Sequence, residues 1–553
     1  MTDFRPTRAM RTTMPKIALI IIALLFVYFP VYELGFVSDD HGLITNEITG
    51  IAQQTVGSAF GQDLWHFQQS ESGYYRPLMT LSLMLDHSLW GEWAGGYHVH
   101  SLLWHIFAVV TLFGVLRSLF GDSRAFLATS LYAFHPLTTE VTCFISARND
   151  AMAIGLGLAA VWLTIPRDAS HKRCILALLF SAAACLSKET GVVILGLLPL
   201  IDWARGLGSR GWYRYGAIAS GATAALFTRE IFGPGLLHSP TLNGVELLQT
   251  ERVSVLTTLF GKLLWPTPLT DSLHIAYLDS PPLPAAAATL FLLLFLAWGG
   301  GRHARVGVFF VFVSILPCIP AIASRFLIGE RYLAMPLIGC AFALASVLPA
   351  NRNLVKGFLL FLPLMWASNA RVLDWKTDLT LASAAHAAAP TPYTAAWLAH
   401  ELAQDEQYDD ALPLFSQAVN GSPPTCDFAS EWIRLSNAHS GPTAAIEVAN
   451  TVWKKQCAAA PGVRGAWAQA LLESGDIDTA RSILTPPPKQ CDHTIAVPLI
   501  ALASLDEATR LRSQCESQMG KELAALQPEI DALVTLITPV ATDPLPEKDP
   551  NDE

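Results

Sequence analysis

The sequence predicts an all-α fold: a polytopic membrane helical bundle followed by a helical-repeat region on the far side of the bilayer. Three observations carry this. Apolar runs long enough to cross a membrane fill the first two thirds of the chain. Arg and Lys fall in alternate connections between those runs. The last third is amphipathic with a period near 3.6, and small residues return in it at a fixed longer interval.

The composition suits a membrane class. Of 553 residues 52% are hydrophobic and only 15% charged, and the mean hydropathy of +0.37 lies above the soluble globular range. Fifteen Trp and thirty-five Pro fit membrane helices. The formal charge of -10 comes from acids in loops and in the C-terminal third. No broad basic surface is present, so nucleic acid is not an expected partner.

A crossing takes about 20 helical residues. Runs of that kind lie at 15–33, 98–118, 124–141, 149–166, 173–187, 190–203, 212–228, 285–299, 305–323, 332–349 and 354–370, which makes about eleven spans. Positive residues in short loops stay inside. Arg5, Arg8, Arg11 and Lys16 therefore place the N-terminus in the cytoplasm, and the first run reads as a retained start-transfer helix, since no small-residue cleavage site follows it. Counting from there, Arg117 with Arg124, Arg167 with Lys172 and Arg173, Arg205 with Arg210 and Arg214, Arg302 with Arg305, and Arg352 with Lys356 all fall inside. The agreement requires that 252–268 lie re-entrant or interfacial. It leaves everything after Arg371 outside.

The unusual polar groups gather on the outer side. The first outer loop, 34–97, carries Asp39, Asp40 and Arg76; later outer turns carry His135, Glu140, Arg148 and Asp150, then Lys188 and Glu189, then Glu330, Arg331 and Tyr332. An ionisable residue at membrane depth costs roughly 2.5–3.5 kcal/mol, so such residues face a cavity or a partner. Adjacent acids suit a divalent cation, or a general base whose pKa is raised by its neighbour; a solvated loop pair is the plainer alternative. Arg76 and Arg331 at outer helix ends suit a phosphate, although for either one alone a snorkelling arginine is the favoured reading. With Arg148 and Lys188 they make a basic cluster that fits a lipid phosphate head group. Glu140 beside Arg148 could line a polar cavity with His135. His98 and His105, seven apart, allow a metal, but hydrogen-bonded structural histidines are the simpler reading. The chain has no Gly-rich phosphate loop, nucleophile elbow or HExxH.

The composition divides the chain into a membrane part, 1–371, a soluble helical part, 372–540, and a charged, Pro-rich tail, 541–553, expected to be disordered. Ala411, Ala445 and Ala480 stand in similar contexts, with separations 445 − 411 = 34 and 480 − 445 = 35. These match the tetratricopeptide period of about 34 residues, in which small residues allow two helices to cross closely. Such repeats offer a surface for a protein partner. Cys426, Cys457, Cys491 and Cys515 all lie there and predict two disulfides of undetermined connectivity.

The ordered motifs "FVSDD", "YYRPLMTLSLMLDHSLWG", "GYHVHSLLWH", "FHPLTTEVTCFISARND", "SKETGVVILG", "GERYLAMPLIG" and "RVLDWKTDLTLASAAHAAAP" together resemble the transmembrane and tetratricopeptide-repeat protein O-mannosyltransferases of the GT-C glycosyltransferase superfamily. The resemblance implies transfer of a sugar, mannose by family habit, from a polyprenyl- or dolichyl-phosphate donor to an acceptor protein's Ser or Thr hydroxyl. It implies Asp39 as the base with Asp40 assisting, and donor phosphate held by Arg331 first, then Arg76, Arg148 and Lys188. A divalent cation on Asp39 and Asp40 stays open. The repeat array is shorter than the family's usual one, and Asn149 precedes Asp150 where a second acidic motif is common, which leaves the role of Asp150 in doubt. Compact loops favour a bacterial inner membrane with periplasmic repeats; an endoplasmic reticulum membrane is the alternative. The rival functions are transfer to a lipid or glycan, a transporter, and a non-catalytic membrane-anchored scaffold.

Overall fold

The computed structural model describes residues 8–46, 50–65, 74–207, 211–233, 247–266, 273–274, 283–319, 327–349, 354–457, 460, 462–484, 498 and 526–537. Among these the fold is all-α, apart from one two-residue antiparallel pair, Leu273–His274 against Leu327–Ile328. Packing divides the chain into Met1–Ala389 and Pro390–Glu553.

The first unit is a bundle of apolar helices. Ala94–Phe120 and Glu330–Val347 are long and apolar enough to cross a bilayer, and Met14–Val27, Gly191–Ala204 and Leu283–Gly299 are shorter apolar stretches. Its outside is apolar as well: Phe26, Phe291, Trp298, Leu360 and Trp366 point outward. Water disfavours such a surface and hydrocarbon does not, so the bundle is that of an integral membrane protein. Close contacts between helices rest on small residues. A Cβ on Gly307 of helix Gly301–Ile315 would stand 2.6 Å from the carbonyl oxygen of Gly339 on the helix that follows Arg331. Without a hydrophobic drive between helices in lipid, approach of this kind supplies the packing energy.

Several of the predicted runs are broken, three of them at a Pro or Gly. The run 124–141 stops at Phe134, because Pro136 forces His135 into an extended conformation, ψ 131°. The chain then makes a short turn at Pro136–Thr138, a helix at Thr139–Cys143 and another turn at Ile145–Ala147 before helix Arg148–Thr164. This whole connection is buried. The run 190–203 divides at Gly196, and 354–370 divides before Leu362, where Pro363 occupies the first turn of Leu362–Asp374. The stretch 252–268 forms helix Leu247–Leu264, which is not among the helices apolar enough to span. The first outer loop holds a helix of its own, Pro77–Trp90.

The packing boundary lies beyond the composition change at Arg371. Helix Leu362–Asp374 packs on the connection after Phe134, and helix Asp378–Ala388 packs on it in turn. Both stay with the membrane unit.

The second unit is built of helical pairs: Pro392–Gln404 with Tyr408–Asn420, Ala429–Ser440 with Pro442–Lys454, and Val463–Glu473 with Ile477–Ile483. Ala411, Ala445 and Ala480 are fully buried. Each is three residues past the start of the second helix of its pair (411 − 408, 445 − 442 and 480 − 477 all equal 3). The core adds Phe415, Trp432, Ile433, Val452 and Leu471. Cys426 and Cys457, which precede and follow the second pair, form a disulfide that closes the loop around it. Cys491, Cys515 and the tail 541–553 lie outside the described residues. Loop closure over 31 residues makes Cys426→Ser cost about 2–4 kcal/mol. A lowered unfolding midpoint of the repeat region, reproduced by reductant on the wild type, is the expected result.

Candidate active site

The acidic turn after the first helix is shaped by its backbone. Ser38 adopts a left-handed conformation, φ 52°, which costs a non-glycine residue about 1–3 kcal/mol and persists only where surroundings impose it. Asp40, next but one, is fully buried. Its Oδ1 accepts bonds from the Ser146 amide (2.8 Å) and hydroxyl (2.5 Å), and its Oδ2 accepts a longer one from the Val37 amide (3.4 Å). Burial pushes the Asp40 carboxyl up to about 7; the Ser146 bonds oppose the rise, and the charge of Asp39 adds the least. Like-charge repulsion from Asp39, the cause expected from the sequence, is outweighed by burial. Asp39 is half-buried, and its charge acts on Arg331.

Arg331 heads the last long helix but one, where "GERY" leads into Ala334–Val347. Its guanidinium pairs with the fully buried Glu140, and its amide donates to Glu140 Oε2 at 2.8 Å. The same guanidinium lies over Tyr332 and Phe144, 5.2 and 5.8 Å from the ring centroids. Lys188 donates to Asp150 Oδ2 at 2.6 Å. Arg76 meets Glu189 Oε2 at 3.3 Å and lies over Tyr74. These groups belong to one electrostatic cluster: Lys188 senses Asp150, Arg76 and Arg331, while Asp150 acts on Arg76 and Arg331 as well. So Asp39, Arg331, Glu140, Asp150, Lys188, Arg76 and Glu189 come together at one end of the bundle.

Arg148, His135 and Glu330 lie outside that cluster. Arg148 is fully buried and donates to Ser101 Oγ, Ser82 Oγ, the Tyr97 carbonyl and Asp86. Every guanidinium nitrogen is thus used within the protein, which takes Arg148 away from the phosphate role expected of it. Glu140 faces Arg331 and not Arg148. His135 is buried, with its Nδ1 accepting the Leu137 amide in the turn it caps. Glu330, fully buried, lies between Lys262 (3.7 Å) and Arg371 (3.6 Å), a second charge group behind Arg331. The histidines take the structural reading: His98 bonds the Gly35 carbonyl, His100 bonds Asp86 and His105 the Ala133 carbonyl. For a divalent cation the donor set does not converge, because Asp40 turns its oxygens to Ser146 and Val37; among the described residues no group of three or more metal-ligating side chains forms.

Sequence reasoning missed Asp86, Ser146, Lys262, Arg371 and Asp378. Asp86 had a signal, being an acid inside the apolar run "LSLMLDHSLW". Lys262 sits in the stretch 252–268 treated only as topology. Ser146 and Asp378 have none, since their role depends on what folds against them.

Comparison with known proteins bears out the resemblance read from the motifs. No family model matches the chain. Over 190 residues, 32% of this chain and 22% of the relative, it is 31% identical to protein O-mannosyl-transferase Tmtc1 of Drosophila melanogaster. It is 27% identical over 198 residues to protein O-mannosyl-transferase TMTC4 of Homo sapiens, 31% of this chain and 27% of the relative. Protein O-mannosyl-transferase TMTC3 of Homo sapiens matches at 26% over 191 residues, 33% of this chain and 21% of the relative. The matched region thus spans about a fifth to a quarter of these relatives' length. Among solved structures, ArnT from Cupriavidus metallidurans bound to undecaprenyl phosphate aligns over 92% of this chain and 90% of that one, at 11% identity and a TM-score of 0.37. That score is below the level at which two folds are called the same.

Two outcomes follow for the buried charges. Arg148→Met leaves Asp86 charged in an apolar surround and lowers stability by on the order of 3–5 kcal/mol, while Arg148→Met with Asp86→Leu recovers most of it; unfolding in detergent reads both. For Asp40 the folded pKa is raised, so from its ordinary value near 3.8 up to about 7 the folded state keeps a proton that the unfolded chain has lost. Wild-type stability therefore falls across that window as pH rises. Thermal unfolding from pH 4 to 7.5 should show that fall, flattened in Asp40→Asn.

Proposed function

We propose that the chain is a GT-C-type membrane glycosyltransferase that moves a sugar from a polyprenyl- or dolichyl-phosphate carrier to a hydroxyl on the outer face. The observation that carries it is Asp39, half-buried and within electrostatic reach of Arg331, while its neighbour Asp40 is anchored behind it. Mannose as the sugar and a protein Ser or Thr as the acceptor are supported by the names of the matched relatives.

Asp39 takes the proton from the acceptor hydroxyl as its oxygen attacks the anomeric carbon. The bond from that carbon to the lipid phosphate oxygen breaks, and the carrier leaves as its phosphate with the bonding electrons. Arg331, Lys188 and Arg76 stabilise the charge that develops there. A single displacement inverts the anomeric carbon. Glu140 and Asp150 hold Arg331 and Lys188 in place; Glu189 does this for Arg76. Tyr332 supports the guanidinium of Arg331. Glu330, beside it in sequence, fixes the helix start through Lys262 and Arg371.

The test is transfer of radiolabelled mannose from polyprenyl-phosphate-mannose to envelope protein by the purified full chain, with and without chelator. Asp39→Asn should lower transfer about 10²–10⁴-fold with the fold intact. Equal transfer by both proteins removes Asp39 from the mechanism, and no transfer by either favours the scaffold alternative or another sugar. Loss on chelation alone would assign a metal.

A further inference from the structure

We propose that Asp378 is a positioning residue for Asp39, an inference that rests on the function proposed above. Asp378 opens helix Asp378–Ala388, and its carboxylate turns to the acidic turn 340 residues earlier. Oδ1 accepts the Ser38 amide at 2.7 Å, and Oδ2 meets His41 Nε2 at 2.8 Å. Both bonds lie on neighbours of Asp39. A third contact runs beside them, from the Gly35 amide to the Lys376 carbonyl at 3.0 Å.

These bonds account for the left-handed Ser38. An L residue adopts φ 52° only when something holds it, and the short bond from its amide to Asp378 is the restraint in place. On the other side of Asp39, Asp40 is pinned to Ser146. Residues 38, 40 and 41 are therefore fixed by side chains from two distant segments, and with them the stretch of backbone that carries Asp39.

Asp378 is itself well held. Thr377 caps its helix by accepting the Thr380 amide at 3.2 Å, and Thr380 Oγ1 donates to the Asp374 carbonyl at 3.1 Å. Asp374 pairs with Arg371 at 2.9 Å, and Arg371 pairs with Glu330, next to Arg331. One run of contacts thus fixes the acidic turn relative to the cation proposed for the leaving phosphate. The same helix leads through Ala389 into the repeat unit.

The experiment uses the full chain and two readouts. Hydrogen exchange over residues 36–41 reports the turn without need of substrate: Asp378→Ala should speed exchange there and leave 136–147 unchanged. In the transfer assay Asp378→Ala should lower kcat by about 10²-fold, the effect of a misplacement near 1 Å, with donor KM within about twofold. Asp378→Asn, which keeps an acceptor for the Ser38 amide, should restore most of both. His41→Ala, which spares the Ser38 bond, gives a smaller change in the same direction and serves where Asp378→Ala fails to fold. Unchanged exchange in Asp378→Ala, or a raised donor KM with kcat retained, overturns the proposal. If the wild type transfers nothing the function above falls, and the exchange result still decides whether Asp378 pins the turn.

Discussion

Charge that has left water needs an opposite charge close by, and this constraint organises one end of the membrane unit. Glu140 and Arg331 meet across 191 residues of sequence, Arg148 and Asp86 across 62, and Lys188 and Asp150 across 38. Helices in lipid gain little from burying apolar faces on each other, because the tails are equally apolar. Ion pairs and close glycine crossings do that work here. Separating any of these helices at that end would strand a buried charge, so the network behaves as one mechanical unit. The acidic turn is fastened to that unit at Ser146 and Asp378.

The helices and the repeat were legible in the sequence because their signals are local. An apolar run of membrane length is seen within one window, and Ala411, Ala445 and Ala480 announce a close helix crossing through their size alone. The gathering of Asp39, Arg331, Lys188 and Arg76 at one end was also legible, since alternating orientation puts all four on the same side. Partners were not. Glu140 was placed beside Arg148 by sequence nearness, and Pro136 instead turns the chain so that Glu140 faces Arg331. Which carboxylate meets which cation depends on long-range packing that residue spacing does not encode.

The boundary between the two units shows the same limit. Composition changes at Arg371, where the last long apolar run ends. Packing changes only after Ala389, because Trp375 stacks on Phe144 with ring centroids 5.3 Å apart and Asp378 reaches Ser38. Lipid exposure and tertiary contact are different physical quantities. A segment can lie past the last apolar run and still pack with the membrane unit, and 372–389 is such a segment.

The pairs also differ in what it costs to break them, and this orders the cations on the proposed reading. Arg148 has four protein acceptors and no exposure, so handing it to a ligand would leave Asp86 stranded. Among the described residues Arg76 has one carboxylate partner, at 3.3 Å, and that partner, Glu189, is 31% exposed and can return to water at little cost. Arg331 lies between, 18% exposed but doubly bonded to a buried Glu140. A lipid phosphate entering the cluster can therefore exchange with Glu189 for Arg76 while Arg331 keeps Glu140 and adds a ligand. On this reading the cation that is cheapest to move, Arg76, meets the donor first, and Arg331, held by Glu140, stays aimed at the bond that breaks. In this arrangement the ion pairs hold the cluster together before the donor arrives and leave its charge available once it does.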